Sequence, residues 1–204
     1  MRSASIAVAL LFIPAITSAQ TLSDAERQAL LASLEKTDAQ LVQVVESLTP
    51  EAWAFKPAED RWSVAEVAEH ILLAEQLFKQ VIKGPLIESR PPDDMSTAGS
   101  RSDEIRNLML DRSQKLQAPD PLRPTGRWPT RAEFLAAWQP ERAATLEWVE
   151  TTDADLHGHA YELPPLGVMN GQEWMTFMAS HCERHMMQIE EVMAHPDFPR
   201  TTGR

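Results

Sequence analysis

Apolar residues recur along this chain three, four and seven positions apart, the repeat of one helical face, and no stretch sustains the alternation of a strand. Four long segments carry the helical repeat. The first opens at Ser23, where Ser23 and Glu26 have the spacing of a capping box. It continues through Leu30, Leu31, Leu34, Leu41, Val44, Val45 and Leu48 to a break at Thr49-Pro50. Pro50 and Pro57 bracket a connector. The second opens with a box at Ser63 and Glu66, with Trp62 and Val67 spaced to staple across it. Its stripe is Val64, Val67, Ile71, Ala74, Phe78 and Ile82, and Gly84-Pro85 is expected to end it. The third has its box at Thr130 and Glu133, a stripe of Phe134, Leu135, Trp138, Leu146 and Val149, and an expected kink or early-turn irregularity at Pro140. The fourth begins at Asn170, boxed by Glu173 and stapled by Met169 and Trp174. Its stripe is Trp174, Phe177, Met178, His181, His185, Ile189 and Val192.

A long crossover separates the second and third segments. It is polar and rich in Pro, Ser and Gly from Ile87 to Ser102, carries a short amphipathic piece over Ile105 to Leu116, and ends in the proline-rich APDPLRPTGRWP. The stretch DLHGHAYELPPLGVMNG reads as a loop. There is no internal repeat. The expected fold class is all-α, four helices around one core, in a single domain over residues 20–204.

Residues 1–19 are set apart from that domain. Arg2, an apolar run from Ile6 to Ile16 and small residues at Thr17 and Ala19 have the layout of a secretory signal peptide, with cleavage expected after Ala19. A run of about 11 residues is too short to span a bilayer as a helix. The mature protein is therefore expected to be periplasmic or secreted, with no stable membrane insertion. A formal net charge of −11, with no clustering of Lys and Arg, argues against a nucleic-acid partner. The single cysteine, Cys182, forms no intramolecular disulfide and is expected to be a buried structural thiol.

Two of the six histidines, His181 and His185, stand four apart on the apolar stripe of the last segment, so both rings point into one volume. His70, flanked by Val67, Ala74 and Leu77 on the second segment, should face inward as well. Buried imidazoles without partners cost about 1–3 kcal/mol each. They require either hydrogen bonds of a structural core or a shared cation, and spacing alone leaves both open. Three imidazoles from two helices match a divalent-metal site with open positions, and zinc suits it first, with nickel or iron also compatible. HCERH is neither of the familiar zinc-protease patterns, and Glu183 should point away from both of its histidines. His157 and His159 fall in the loop, and His195 near the end of the chain is expected to be exposed.

The pattern WSVAEVAEH at 62–70, preceded by FKPAEDR, together with HCERHMMQI at 181–189 after PPLGVMNGQEWMTFMAS, resembles the DinB-like (DinB/YfiT-like) superfamily of metalloenzymes. The resemblance runs from about Leu30 to Val192. It implies an up-down-down-up four-helix bundle and a divalent metal held by His70, His181 and His185. This chain departs from the pattern in the long insert around 87–128 and in its export signal.

Two classes of function follow. One is a metal-dependent hydrolase or thiol/group transferase acting on a small molecule, in which the metal activates water or a thiol. The other is a bundle that binds a metal or small ligand without chemistry, and a bundle that has lost its metal is a third option. Glu69 and Gln188 are placed to border the site, but no residue earns a catalytic assignment. A homodimer is compatible with either reading.

Overall fold

The computed structural model describes residues 20–89, 95, 98–113, 117–164 and 166–199; the expected signal segment, residues 1–19, lies outside them. In chain order the helices are α1 (Asp24–Ser47), α2 (Pro50–Ala54), α3 (Val64–Val81), α4 (Ser102–Leu110), α5 (Arg131–Thr151) and α6 (Gly171–Met193). The four long ones, α1, α3, α5 and α6, each begin at the capping box expected of them, with both halves of the box formed. At α3, for example, Glu66 N donates to Ser63 Oγ at 3.2 Å while Ser63 N donates to Glu66 Oε2 at 2.7 Å.

Side-chain pairings fix how these helices run. Along α1, Arg27 donates to Thr152 O at 2.9 Å, Leu34 O accepts from Arg142 at 3.4 Å and Asp38 accepts from Trp138 Nε1 at 2.7 Å, so α1 and α5 are antiparallel. His70 meets His181 and His185 while Phe78 meets Trp174 and Phe177, which makes α3 and α6 antiparallel too. Glu75 meets Arg142 and Thr145, and Lys83, just past α3, lies 5.4 Å over the Trp148 ring, so α3 and α5 are parallel. The result is the up-down-down-up bundle. Parallel neighbours consecutive in the main framework need a connection as long as the bundle, and the crossover supplies it.

The connections differ from the sequence reading in several places. Gly84-Pro85 does not end the second helix: the chain widens into a π-helical turn over Ile82–Leu86 and continues to Glu88. A wider turn accommodates a residue without an N–H, and Ile82 and Leu86, both buried, hold the chain against the core. Pro140 lies inside α5, as expected, and the helix continues through it; Pro140 is exposed, so the carbonyl it leaves free can be hydrated, while Trp138 and Arg142 anchor the helix on either side. The expected connector between Pro50 and Pro57 holds a helix of its own, α2, capped by Thr49 and anchored by Trp53, whose Nε1 donates to Pro129 O at 3.2 Å.

The crossover's amphipathic piece stops at Leu110. Asp111 accepts from Ser113 N at 2.9 Å, a local turn that competes with the helix. Arg184 takes up the freed carbonyls of Met109 and Asp111 at 2.8 and 2.6 Å. The loop before α6 contains a hairpin, β1 (Ala160–Leu163) and β2 (Gly167–Asn170), with Ala160 opposite Asn170 and Leu163 opposite Gly167. Four residues per strand are too few for a period of two to show. Trp174 Nε1 donates to Tyr161 O at 3.0 Å, and β2 ends on the residue that caps α6.

The core has two apolar clusters, one around Leu34, Phe78, Val149 and Trp174, the other around Leu41, Trp53, Phe134, Trp138 and Ile189. A buried polar layer lies among them. Glu75 and Arg142 form an ion pair at 2.7 Å with both side chains almost fully buried. Thr145 donates to Glu75 at 2.7 Å, and Arg142 also reaches Cys182 Sγ at 3.5 Å and lies 4.5 Å over the Trp138 ring. Burial pushes the Cys182 thiol up, consistent with the inert structural thiol expected of it.

Candidate metal centre

His70 comes from the middle of α3, and His181 and His185 come from successive turns of α6 on the face packed against it. The i, i+4 spacing does what the stripe implied: both α6 rings enter the same space, and antiparallel packing brings His70 against both, with ring centroids 5.1 Å from His181 and 4.5 Å from His185. His70 Nε2 and His185 Nε2 each lie 3.2 Å from His181 Nε2. Ligand atoms of the three residues all fall within 4.8 Å of one another. Nitrogens bound to one tetrahedral zinc at about 2.0–2.1 Å stand roughly 3.3–3.4 Å apart, so the convergence is already of the right size.

Hydrogen bonds on the far side of two rings determine what faces inward. His70 Nδ1 lies 2.7 Å from Leu122 O, a pure acceptor, so Nδ1 carries the hydrogen and Nε2 presents a lone pair. His185 Nδ1 lies 2.8 Å from Gln188 Oε1, which sets the same tautomer there. Both bare Nε2 atoms therefore point at His181 Nε2, which can offer at most one hydrogen. One lone pair is left without a donor in any neutral arrangement. Protonation is disfavoured: burial holds the His185 imidazole down to about 3, His181 well below its usual value and His70 below it as well. A divalent cation satisfies all three nitrogens at once, and the donor set fits one.

Aromatic rings wall the site. Trp62 lies 5.0 Å from His70 between ring centroids, and Phe78 and Phe177 lie 5.3 and 6.0 Å from His181. His70 and His185 are buried as residues, His181 is half-buried, and the ligating groups of all three are buried.

The other candidates go elsewhere. Glu183 does point away: it accepts from Ser33 Oγ and from Arg106, each at 2.8 Å, and ties α6 to α1 and α4. His157 lies against Glu26 at 3.2 Å and Asn170 at 3.3 Å, and His159 Nδ1 lies 2.7 Å from Ser89 O. His195, expected to be exposed, is half-buried against Phe55, with ring centroids 5.5 Å apart. Gln188 borders the site as its spacing suggested. Leu122 was beyond sequence reasoning, because a backbone carbonyl in a proline-rich crossover leaves no residue-type signal. Glu69 does not face the metal nitrogens at all. Its carboxylate is buried and accepts from the backbone of Thr125, Gly126 and Arg127.

The profile of the DinB superfamily matches residues 33–189. YuaE, an uncharacterised protein of Bacillus subtilis (strain 168), is 23% identical over 158 residues, spanning 72% of this chain and 87% of its own. Among solved structures, YfiT from Bacillus subtilis, described as a probable metal-dependent hydrolase with an unusual four-helix bundle topology, is similar with a TM-score of 0.52 at 16% identity. That match covers 85% of this chain and 89% of YfiT, and at such identity it establishes the shared fold. The span matched by the superfamily runs from within α1 almost to the end of α6 and contains all three histidines; this chain belongs to the DinB superfamily.

Proposed function

We propose that this protein is an exported metal-dependent hydrolase or thiol/group transferase of small molecules, holding one divalent ion, zinc first, on His70, His181 and His185. The observation that carries the reading is the convergence of three Nε2 atoms in which two fixed lone pairs face a nitrogen able to satisfy only one of them. A bound ion supplies Lewis acidity, which brings water or a thiol toward its nucleophilic form near neutral pH.

The chain's own residues bind and orient. Leu122 O and Gln188 hold the His70 and His185 rings in register, as outer partners of metal-ligating histidines do. Trp62, Phe78 and Phe177 keep bulk water from the inner side of the rings, where charge interactions are then strengthened. Cys182 takes no part, since its raised thiol faces Arg142 within the core.

One observation favours a second reading, a bundle that binds a metal or ligand without chemistry. The acids nearest the histidines in sequence, Glu69 and Glu183, are both engaged with other partners and offer no general base. Export is proposed from the composition of residues 1–19 alone, which have the layout of a secretory signal peptide. Among the described residues no helix is long and apolar enough to cross a membrane.

Metal analysis of purified protein tests the centre. About one divalent ion per chain is expected, lost in His70→Ala, His181→Ala and His185→Ala and retained in His159→Ala. A wild-type protein that stays metal-free, with unchanged melting on adding zinc, nickel or iron, overturns it. Chelator-sensitive turnover of a panel of activated esters and thiol acceptors separates the enzyme from the binding bundle. Intact-mass analysis of the envelope fraction should find a chain beginning at Gln20.

A further inference from the structure

Glu69 and His70 are consecutive on α3, about 100° apart around the helix, and both bond the same short piece of the crossover. His70 Nδ1 donates to Leu122 O at 2.7 Å. Three residues on, Glu69 Oε1 accepts from Thr125 N at 2.8 Å and Thr125 Oγ1 at 3.3 Å, while its Oε2 accepts from Gly126 N at 2.9 Å and Arg127 N at 3.2 Å. A side chain only 3% exposed thus has both oxygens filled by four donors of one turn. The turn is built for this: Gly126 has φ of +79°, a conformation that lets consecutive N–H groups converge on one carboxylate.

We infer that Glu69 is a positioning residue for the metal centre, clamping the 122–127 turn onto α3 so that the Leu122 carbonyl fixes the His70 tautomer and presents its Nε2 to the ion. The inference rests on the metal reading above but has an observable of its own in the metal-free protein. The geometry is that of a chain of contacts with no slack: carboxylate to turn, turn to carbonyl, carbonyl to imidazole, imidazole to site. Leu122 is itself buried in the core and bonded within its turn, Leu122 N to Pro119 O at 2.9 Å, so its carbonyl cannot follow a displaced ring. Without the clamp, the Nδ1–H and Nε2–H forms of His70 become comparable, and a fraction of the protein presents N–H where a ligand lone pair is needed.

Glu69→Gln tests this with little change of shape, because the amide nitrogen sets two hydrogens against backbone N–H donors. The first readout is the imidazole 1H–15N long-range correlation spectrum of metal-free protein at pH 7.5. His70 should appear as the Nδ1–H tautomer in the wild type and as a mixture in Glu69→Gln, with His185 unchanged. The second is zinc affinity by chelator competition, expected to fall about 10- to 100-fold, the usual consequence of losing an outer partner of a metal histidine. Gly126→Ala, which strains the turn from the other side of the same contact, should reproduce both shifts if Glu69→Gln folds poorly. A Glu69→Gln protein that melts lower but keeps the His70 tautomer and binds zinc within twofold of wild type overturns the inference and leaves the metal centre standing. A wild type that binds no zinc removes the metal reading, while the tautomer in metal-free protein still decides the role of Glu69.

Discussion

Replacing Arg142 by methionine removes a cation that touches three other helices: Glu75 on α3 at 2.7 Å, Leu34 O on α1 at 3.4 Å and Cys182 on α6 at 3.5 Å. Methionine keeps most of the volume, so the change is chiefly electrostatic. Both members of the pair are nearly inaccessible, and withdrawing one partner of such a pair costs about 3–5 kcal/mol, because the other charge stays buried without compensation. For a domain of this size each kcal/mol moves the melting point about 2–4 °C, so a fall of roughly 6–20 °C is expected. The loss must also depend on pH. Burial already holds the Glu75 carboxyl above its usual value, with Arg142 opposing that shift, so deleting Arg142 raises it further. A carboxyl whose folded value exceeds its unfolded one contributes stability that is complete below about 4.5 and is lost as pH rises through the folded value. Urea unfolding of Arg142→Met with metal chelated should therefore show a larger deficit at pH 8 than at pH 5. The double variant Glu75→Met/Arg142→Met should recover most of the deficit, since apolar replacement of a whole buried pair is often neutral or better. A deficit under about 1 kcal/mol, or one that is equal at both pH values, refutes the reasoning.

Metal-free wild type should itself lose stability in acid. His185 is held down to about 3 and His181 and His70 are also lowered, so the unfolded chain takes up protons from about pH 6.5 downward that the folded chain refuses. Stability present above pH 6.5 should fall toward pH 3 by up to about 1.4 kcal/mol per pH unit for each such imidazole, and a urea midpoint that stays flat between pH 7.5 and 5 contradicts this. Arg184→Ala strips the cap from the end of α4, leaving the Met109 and Asp111 carbonyls without that donor. A cost of about 1–3 kcal/mol is expected, with hydrogen exchange accelerated across 105–111 and not in α3; uniform acceleration would show that α4 unfolds only with the whole bundle.

The long helices were legible because each carried two independent signals, a stripe and a capping box, and at all four starts the two agree. The three histidines were legible for the same reason: they lie on stripes, and stripes turn inward. The polar layer was also readable in principle. Glu75 follows Ile71 by four and precedes Phe78 by three, and Arg142 follows Trp138 by four and precedes Leu146 by four, so two opposite charges sit on inward faces. What stayed hidden depends on contacts between segments remote in sequence. Gly84-Pro85 signals a stop to any local rule, and only the burial of Ile82 and Leu86 explains why the chain passes through it in a wider turn. Glu69 shows the same limit at the site. Its position beside a metal-facing histidine suggested a pocket-lining acid, yet about 100° of helical rotation turns it to the crossover instead. There it is satisfied by backbone groups some 56–58 residues away, which no spacing rule could pair with it. The crossover is thus bound into the site: it supplies the carbonyl behind His70, and α3 supplies the carboxylate that keeps that carbonyl in place.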